Sequence, residues 1–322
     1  MKLDMYDKKL LYHLDINSRY TLGELAKGVR LSKNAVNYRL KDLIKTGVIR
    51  QFYTLINVKK LGYSYFKVYF KLQNTTEERE KEITDYFIMN VPSLWITTWD
   101  GRYDLMVGMV ADSIDEFYKI LNDSINRFRE NIKSYDIFIV IYAPHFKKGY
   151  LLETKQKKIN VEEFGGTPKL IKIDGIDKKI LNEISTNARI PIIDLAKKID
   201  STIDICRYRL KKLKKNGIIQ GFRILIDYKK INYHLYKILI TTQNFNEKIE
   251  KEIINYCASQ TNIVDIITKG IGAWNVEIQI DAQSSQEFHS IFKKFKNQFN
   301  TVIRDHETLL MIDEYKLNYF PF

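Results

Sequence analysis

Cysteine, proline and histidine are scarce in this 322-residue chain, which has two, five and five of them respectively. Cys206 and Cys257 stand apart, with no CxxC spacing and no His pair nearby, so neither a disulfide framework nor a zinc site is expected. A reducing, cytoplasmic setting follows as the simplest expectation. Long apolar runs are also missing. No window approaches the roughly 18 uninterrupted apolar residues of a membrane helix, and charges interrupt the first fifteen residues too often for a signal peptide. The five histidines (His13, His145, His234, His289, His306) are scattered, and no nucleophile–base pair or Gly-rich phosphate loop accompanies them. No catalytic residue, metal or cofactor is therefore expected. Acidic charge is in deficit: 52 Lys and Arg against 39 Asp and Glu leave a net charge of +13. That balance favours a polyanionic partner.

The largest positive feature is a duplication. Shifted by about 170 residues, the chain lies over itself, and more than a third of the first 68 aligned positions are identical without a gap. "YRLKDLIKTGVI" at 38–49 meets "YRLKKLKKNGII" at 208–219. After a one-residue slip, Gly101-Arg102-Tyr103-Asp104 meets Gly272-Ala273-Trp274-Asn275. The period is too long for a solenoid repeat, so each copy reads as a pair of domains. Between the copies lies a polar stretch ending in Gly165-Gly166-Thr167-Pro168, read as a linker or an extended crossing arm.

In the first module of each copy, Leu10, Leu11 and Leu14 recur at helical spacing, and Asn17-Ser18-Arg19 breaks the pattern. Thr21 and Glu24 form a capping-box signal for a short second helix, with Gly28 expected at the turn. Ser32 caps a third helix that Gly47 ends, and "VIRQFYTLI" follows as a strand. This order is a winged helix-turn-helix pattern. Val36, Leu40 and Leu43 form the buried stripe of the third helix, as Cys206, Leu210 and Leu213 do in copy two. The opposite face, with its cap, supplies the candidate DNA contacts: Ser32, Lys33, Asn34, Asn37, Tyr38, Lys41 and Lys45. The second head offers Thr202, Arg207, Tyr208, Lys211 and Lys214. Lysines reach phosphate, Asn and Arg can bond base edges, and Tyr can stack. Asp204 replaces Asn34, so the two heads are not expected to read the same bases. Arg39 and Arg209 flank the buried stripe and are expected to be structural or to face phosphate.

The second module alternates apolar and polar residues in "YSYFKVYFKLQ" and continues in the order βαββαβ, a ferredoxin-like α+β sandwich. Its open sheet face, rich in Tyr, Phe, Ile and Val, should bury itself against another sheet, the second copy being at hand. The expected division is a winged helix-turn-helix at 1–60, a βαββαβ domain at 61–145, a linker at 146–172, then the second pair at 173–230 and 231–322.

Spaced through copy one are Asp4-x-x-Asp7, Asn17-Ser18-Arg19, Leu25-Ala26, Leu31-Ser32, Tyr38-Arg39, Gly47-Val48-Ile49 and Leu61-Gly62-Tyr63. With the later Gly101-x-Tyr103-Asp104 turn, this string resembles the Lrp/AsnC family of transcription regulators. The resemblance implies a winged helix-turn-helix that binds double-stranded DNA and a regulatory (RAM) domain that dimerises and takes a small effector, an amino acid. It places that effector near Asp100, Gly101 and Asp104. Members usually carry one such unit, so two fused units imply an internal pseudo-dimer, open to further homo-oligomerisation. Copy two departs from the pattern at Asn232 and Asn275, which puts ligand binding there in question. Two alternatives stay open. Siroheme-decarboxylase-like tetrapyrrole enzymes resemble this family in fold and come as paired halves. A partner protein that caps other regulators without binding DNA is the other.

Overall fold

The computed structural model describes residues 3–152, 161–166 and 169–322. The first head holds α1 (Met5–Ile16), α2 (Leu22–Val29), α3 (Lys33–Lys45) and β1 (Ile49–Ile56). It is followed by β2 (Ser64–Leu72), α4 (Glu77–Asn90), β3 (Ser93–Asp100), β4 (Leu105–Ala111), α5 (Ile114–Arg127) and β5 (Ile132–His145). A short strand, β6 (Glu162–Gly165), precedes the second head: α6 (Gly175–Thr186), α7 (Ile192–Lys198), α8 (Ile203–Lys215) and β7 (Ile219–Ile226). The last module is β8 (His234–Thr242), α9 (Glu247–Ser259), β9 (Ile263–Ile267), β10 (Lys269–Ile271), β11 (Val276–Ala282), α10 (Ser285–Gln298) and β12 (Ile303–Leu317). The fold is thus two winged helix-turn-helix heads, each followed by a βαββαβ module, as the pattern predicted.

Local chemistry sets the helix ends. Asp4 with Asp7, Thr21 with Glu24, and Asp174 with Asp177 form reciprocal capping boxes, each pairing an N-terminal backbone donor with a side-chain oxygen. Ser32 and Thr202 cap α3 and α8. Gly28 does not make the turn it was expected to make. It lies inside α2, and Arg30 adopts the left-handed conformation, as Asp200 does in copy two. Gly28 is small for another reason: a Cβ there would come within 2.7 Å of the His13 ring on α1. Copy two solves the same contact with a Lys198–Glu183 pair at 2.8 Å.

The heads are joined by a two-stranded antiparallel ribbon, β1 against β7. The Asn-x-Arg breaks after α1 and α6 lock it reciprocally. Arg19 donates to the carbonyls of Ala188 and Ile190, and Arg189 donates to those of Ser18 and Tyr20. The last carbonyls of α3 and α8 are also held across the copies: Lys230 donates to Thr46 and Lys60 to Asn216. Such cations at helix C-termini satisfy orphan carbonyls and complement the dipole.

Within the βαββαβ modules the strands run β5-β2-β4-β3 and β12-β8-β11-β9. β3 pairs with β12, and β5 pairs with β9 and β10, so the sheet closes on itself. The open faces were expected to bury against each other; closure does this by joining edges, which also removes exposed strand edges. Strand alternation sorts the residues. On β2, Phe66, Val68 and Phe70 pack outward under α4 and α5, whereas Tyr65, Lys67 and Tyr69 point into the barrel. The segment after β5 crosses the seam: Phe146, Tyr150 and Leu151 are buried, and β6 pairs with the end of β5. Of the Gly165-Gly166-Thr167-Pro168 motif, residues 167–168 lie outside the described residues.

Candidate nucleic-acid interface

α3 and α8 each bury one stripe and expose the other. Val36, Leu40 and Leu43 are buried in α3; Cys206 and Leu213 are buried in α8, with Leu210 only partly covered. Leu210, expected in the buried stripe, is only partly covered, although it packs against the same core as Cys206 and Leu213. On the outward side Ser32, Lys33, Asn34, Tyr38, Lys41 and Lys45 are exposed and Asn37 is half-buried. In copy two Thr202, Asp204, Arg207, Tyr208, Lys211 and Lys214 are all exposed. Tyr38 is 75% and Tyr208 63% exposed, at matching positions of the two helices. Each tyrosine stands among exposed lysines of its helix.

Arg39 and Arg209 are structural. Arg39 bridges Asp4 and Asp7, both at 2.7 Å, and Arg209 bridges Asp174 at 2.6 Å and Asp177 at 3.3 Å. Each ties its third helix to the capping box of its first. Asp204 meets Arg207 at 3.3 Å on the exposed face, so the acid that distinguishes head two partly neutralises that head's own arginine.

The turn at Asp100, Gly101 and Asp104 is closely packed. Asp104 receives the Leu72 backbone N–H at 2.7 Å and the Lys71 ammonium at 2.8 Å. Asn275 does the same for Thr242 in copy two, so this position locks a turn in both. Gly101, at φ +133°, sits against Leu309 of the other module, where a side chain would collide. Asp100 is exposed.

The barrel holds polar residues that sequence reasoning missed. Lys67 and Lys237, equivalent positions of the two copies, converge on one carboxylate, Glu277, at 2.5 and 3.6 Å. Burial pushes the Lys237 ammonium down to about 8, with Lys67 adding repulsion. Near the ribbon, Arg223 is paired bidentately with Asp15, at 3.1 and 2.8 Å. Burial opposes Asp15 ionisation, but Arg223 and Lys148 outweigh it and hold the carboxyl below the usual range. The available signal was a lysine on the inward side of each otherwise apolar strand, in "FKVYF" and "YKILI". Among the described residues no group of three or more His, Cys, Asp or Glu could hold a metal ion. Nor is any helix among them long and apolar enough to cross a membrane.

Fold and helix faces together define a tandem winged helix-turn-helix protein. A family profile for winged helix-turn-helix DNA-binding matches residues 3–50 and 173–220, one match in each head. An HTH-type transcriptional regulator of Pyrococcus furiosus is 30% identical over 138 residues, covering 43% of this chain and 91% of the relative. The regulatory protein AsnC of Haemophilus influenzae is 26% identical over 141 residues, 43% of this chain and 90% of its own. The chain belongs to the Lrp/AsnC family of HTH-type transcriptional regulators, with two family units where these relatives match one. The crystal structure of the siroheme decarboxylase NirDL is similar along the whole length, at TM-score 0.61, 12% identity, and coverage of 99% of this chain and 96% of that one. At that identity the likeness is one of fold.

Proposed function

We propose that the protein is a sequence-specific DNA-binding transcription regulator that works as a fused pseudo-dimer with two unlike heads. The observation that carries the reading is the paired exposed faces of α3 and α8, each with a tyrosine and several lysines outward while the opposite stripe packs. The β1–β7 ribbon relates the heads antiparallel, the relation that a two-fold-like operator asks of its reader. Lys33, Lys41, Lys45, Lys211 and Lys214 supply phosphate contacts; Asn34, Asn37, Tyr38, Arg207 and Tyr208 supply base contacts. Selection of bound fragments from genomic DNA, followed by titration at several salt concentrations, tests this. Each neutralised phosphate adds about 0.9 to the slope of log affinity against log salt. A salt-independent affinity, or no enriched sequence, overturns the reading.

A second reading, a tetrapyrrole decarboxylase, draws on the full-length fold likeness to NirDL and on the polar barrel interior. The cavity found there is about 90 Å³, well below the roughly 300–1,000 Å³ of pockets that enclose drug-sized ligands. Appearance of a perturbed Soret band on adding siroheme to the purified chain would favour this enzyme over the regulator.

A further inference from the structure

β5 and β12 are equivalent strands, and only one of them is covered at its far end. Leu310 pairs with Tyr236 as Ile139 pairs with Phe66, so residues 310–314 correspond to 139–143. Beyond Val140 and Leu310 each strand leaves its partner within the module and stays paired, on its other edge, with the opposite module. The edge that β5 thus frees is taken by β6, which pairs Gly165 with Tyr142 and Phe164 with Ala143. Among the described residues no strand does this for β12. Its matching edge lines an open groove of about 610 Å³.

The groove repeats the seat of β6. In copy one the Asn57 side chain donates to the carbonyls of Glu163 and Gly165 and accepts the Gly165 N–H. The Phe164 ring packs edge-on against Tyr65 at 5.5 Å, and the Gly166 N–H donates to the Ile141 carbonyl at 2.7 Å. The counterparts of Asn57, Tyr65 and Ile141 are Asp227, Leu235 and Ile312, and all three line the groove. Both strands are irregular here, between 140 and 142 and between 311 and 313, and β5 accepts β6 nonetheless. On the uncovered strand Ile312 and Tyr315 are 41% and 46% exposed, and an apolar strand edge left open is a template for pairing with another chain. Arg50 fills part of the seat. It donates to the Glu314 carbonyl at 2.6 Å and lies 3.4 Å from the Glu314 carboxylate. Its counterpart, Gln220, turns to the Gly217 carbonyl instead.

We propose that the β12 edge is a docking site for an extended segment of another protein, which adds a strand there as β6 does on β5 and displaces Arg50 from the Glu314 carbonyl. In such strand addition main-chain bonds supply affinity and alternate side chains supply specificity. The wall sets the chemistry of the segment. A large apolar residue fits against Leu235 and Tyr228, in the place of Phe164. Glycine fits after it, because a Cβ on Gly165 would strike the Ile141 carbonyl, to which that of Ile312 corresponds. A lysine or arginine fits before it. In copy one the Tyr142 hydroxyl donates to Glu163 at 2.9 Å, but Tyr142 and Asn57 give way in copy two to Asp313 and Asp227. Of the charged residues lining the groove, Arg50 pairs with Glu314 and Lys229 with Asp313, which leaves Asp227 to repel a carboxylate and attract a cation. The residue before the cation is small and uncharged, since Gln51 stands where Gly221 makes room for Glu162. The acidic β6 segment of a second copy is therefore the wrong occupant. This edge lies apart from the outward faces of α3 and α8, so the claim does not depend on DNA binding.

The test uses the full chain and fluorescein-labelled hexapeptides, read by fluorescence anisotropy. Val-Ala-Lys-Phe-Gly-Gly should bind saturably. Replacing its lysine by glutamate, or its phenylalanine by serine, should weaken binding at least fivefold. N-methylation of the last glycine, which removes the N–H meant for the Ile312 carbonyl, should do the same. Arg50→Gln, which copies Gln220 and clears the Glu314 carbonyl, should tighten binding at least threefold. Asp227→Asn, which copies Asn57, should narrow the preference for lysine over glutamate. Absence of saturable binding to both the parent and Arg50→Gln overturns the proposal. So does equal affinity for the N-methylated peptide, which would mean that no strand is added. Equal or tighter binding of the glutamate peptide also overturns it, and would assign the groove to β6 of a second copy.

Discussion

Copy one and copy two share a scaffold and differ where it meets something else. The shared parts are reciprocal: Arg39 and Arg209 on their capping boxes, Arg19 and Arg189 across the ribbon, Lys60 and Lys230 on the opposite helix end. Among the differences are residues on the outward faces of α3 and α8, at the ends of α1 and α6, and on the inward faces of the barrel. Asn34 corresponds to Asp204 and Asn37 to Arg207; inside the barrel Met106 and Val110 correspond to Glu277 and Asp281, and on the ribbon Tyr53 corresponds to Arg223. In a symmetric homodimer any change appears twice, so a buried acid at position 106 would bring its twin. Fusion lifts that constraint, and one carboxylate, Glu277, can serve two lysines.

The comparison breaks hardest at Asp15 and its counterpart Ser185. Asp15→Ala leaves Arg223 and Lys148 buried without their partner and should cost about 3–5 kcal/mol in denaturant unfolding. Ser185→Ala, which removes one bond to a carbonyl within α6, should cost about 1 kcal/mol. Because the folded state holds the Asp15 carboxyl below its usual range, its contribution is present at neutral pH and fades as the pH falls through the acid range. Equal losses for the two variants would mean that the copies do not differ there.

Asp281 sharpens the same contrast with opposite sign. Burial raises it to about 6, whereas its copy-one counterpart is Val110. An unfolded aspartate titrates near 3.9, so the folded state keeps a proton that the unfolded state releases. Stability is therefore lost as the pH rises through 6. Asp281→Asn should be more stabilising at pH 8 than at pH 5, by about 1 kcal/mol. A pH-independent difference would show that Asp281 is not strained by burial.

For the heads, Lys211→Ala with Lys214→Ala and Lys41→Ala with Lys45→Ala are matched pairs. Each double variant should lower DNA affinity about tenfold and flatten the salt slope by roughly two units if both lysines meet phosphate. A loss confined to one pair would mean that one head grips DNA and the other does not.

Most of the fold was legible in the sequence, because caps, helix period and strand alternation are local and occur twice. The outward helix residues were legible for the same reason: a face is read from spacing. Barrel closure was not, since which edges join depends on pairings between residues more than 200 apart, such as Thr97 with Glu314. The buried charges were hidden by that closure. A lysine in "FKVYF" reads as a solvated residue until a second sheet covers it, and Asp15 reads as an ordinary helix-end acid until Arg223 arrives from the other copy. Gly28 was misread because a turn and a close helix approach both select glycine; only the position of His13 decides between them.

The smallest expected effect isolates the one residue that separates the heads in charge. Asp204 lies at the N-terminal turn of α8, where a carboxylate is favourable to the helix dipole by about 0.3–1 kcal/mol. Its bond to Arg207 is fully on the surface, and such pairs are weak. Asp204→Asn, copying head one, should therefore lower stability only slightly, while removing one negative charge from the outward surface of α8 and releasing Arg207. DNA affinity should rise a few-fold, and the enriched sequence should change at the half-site under α8, where an Asp that selects cytosine gives way to an Asn that pairs with adenine. Fragment selection with this variant and the parent separates two meanings of the asymmetry. A changed half-site shows that head two reads bases. Tighter binding with an unchanged sequence shows that it holds only the backbone, and that sequence is read by α3 alone.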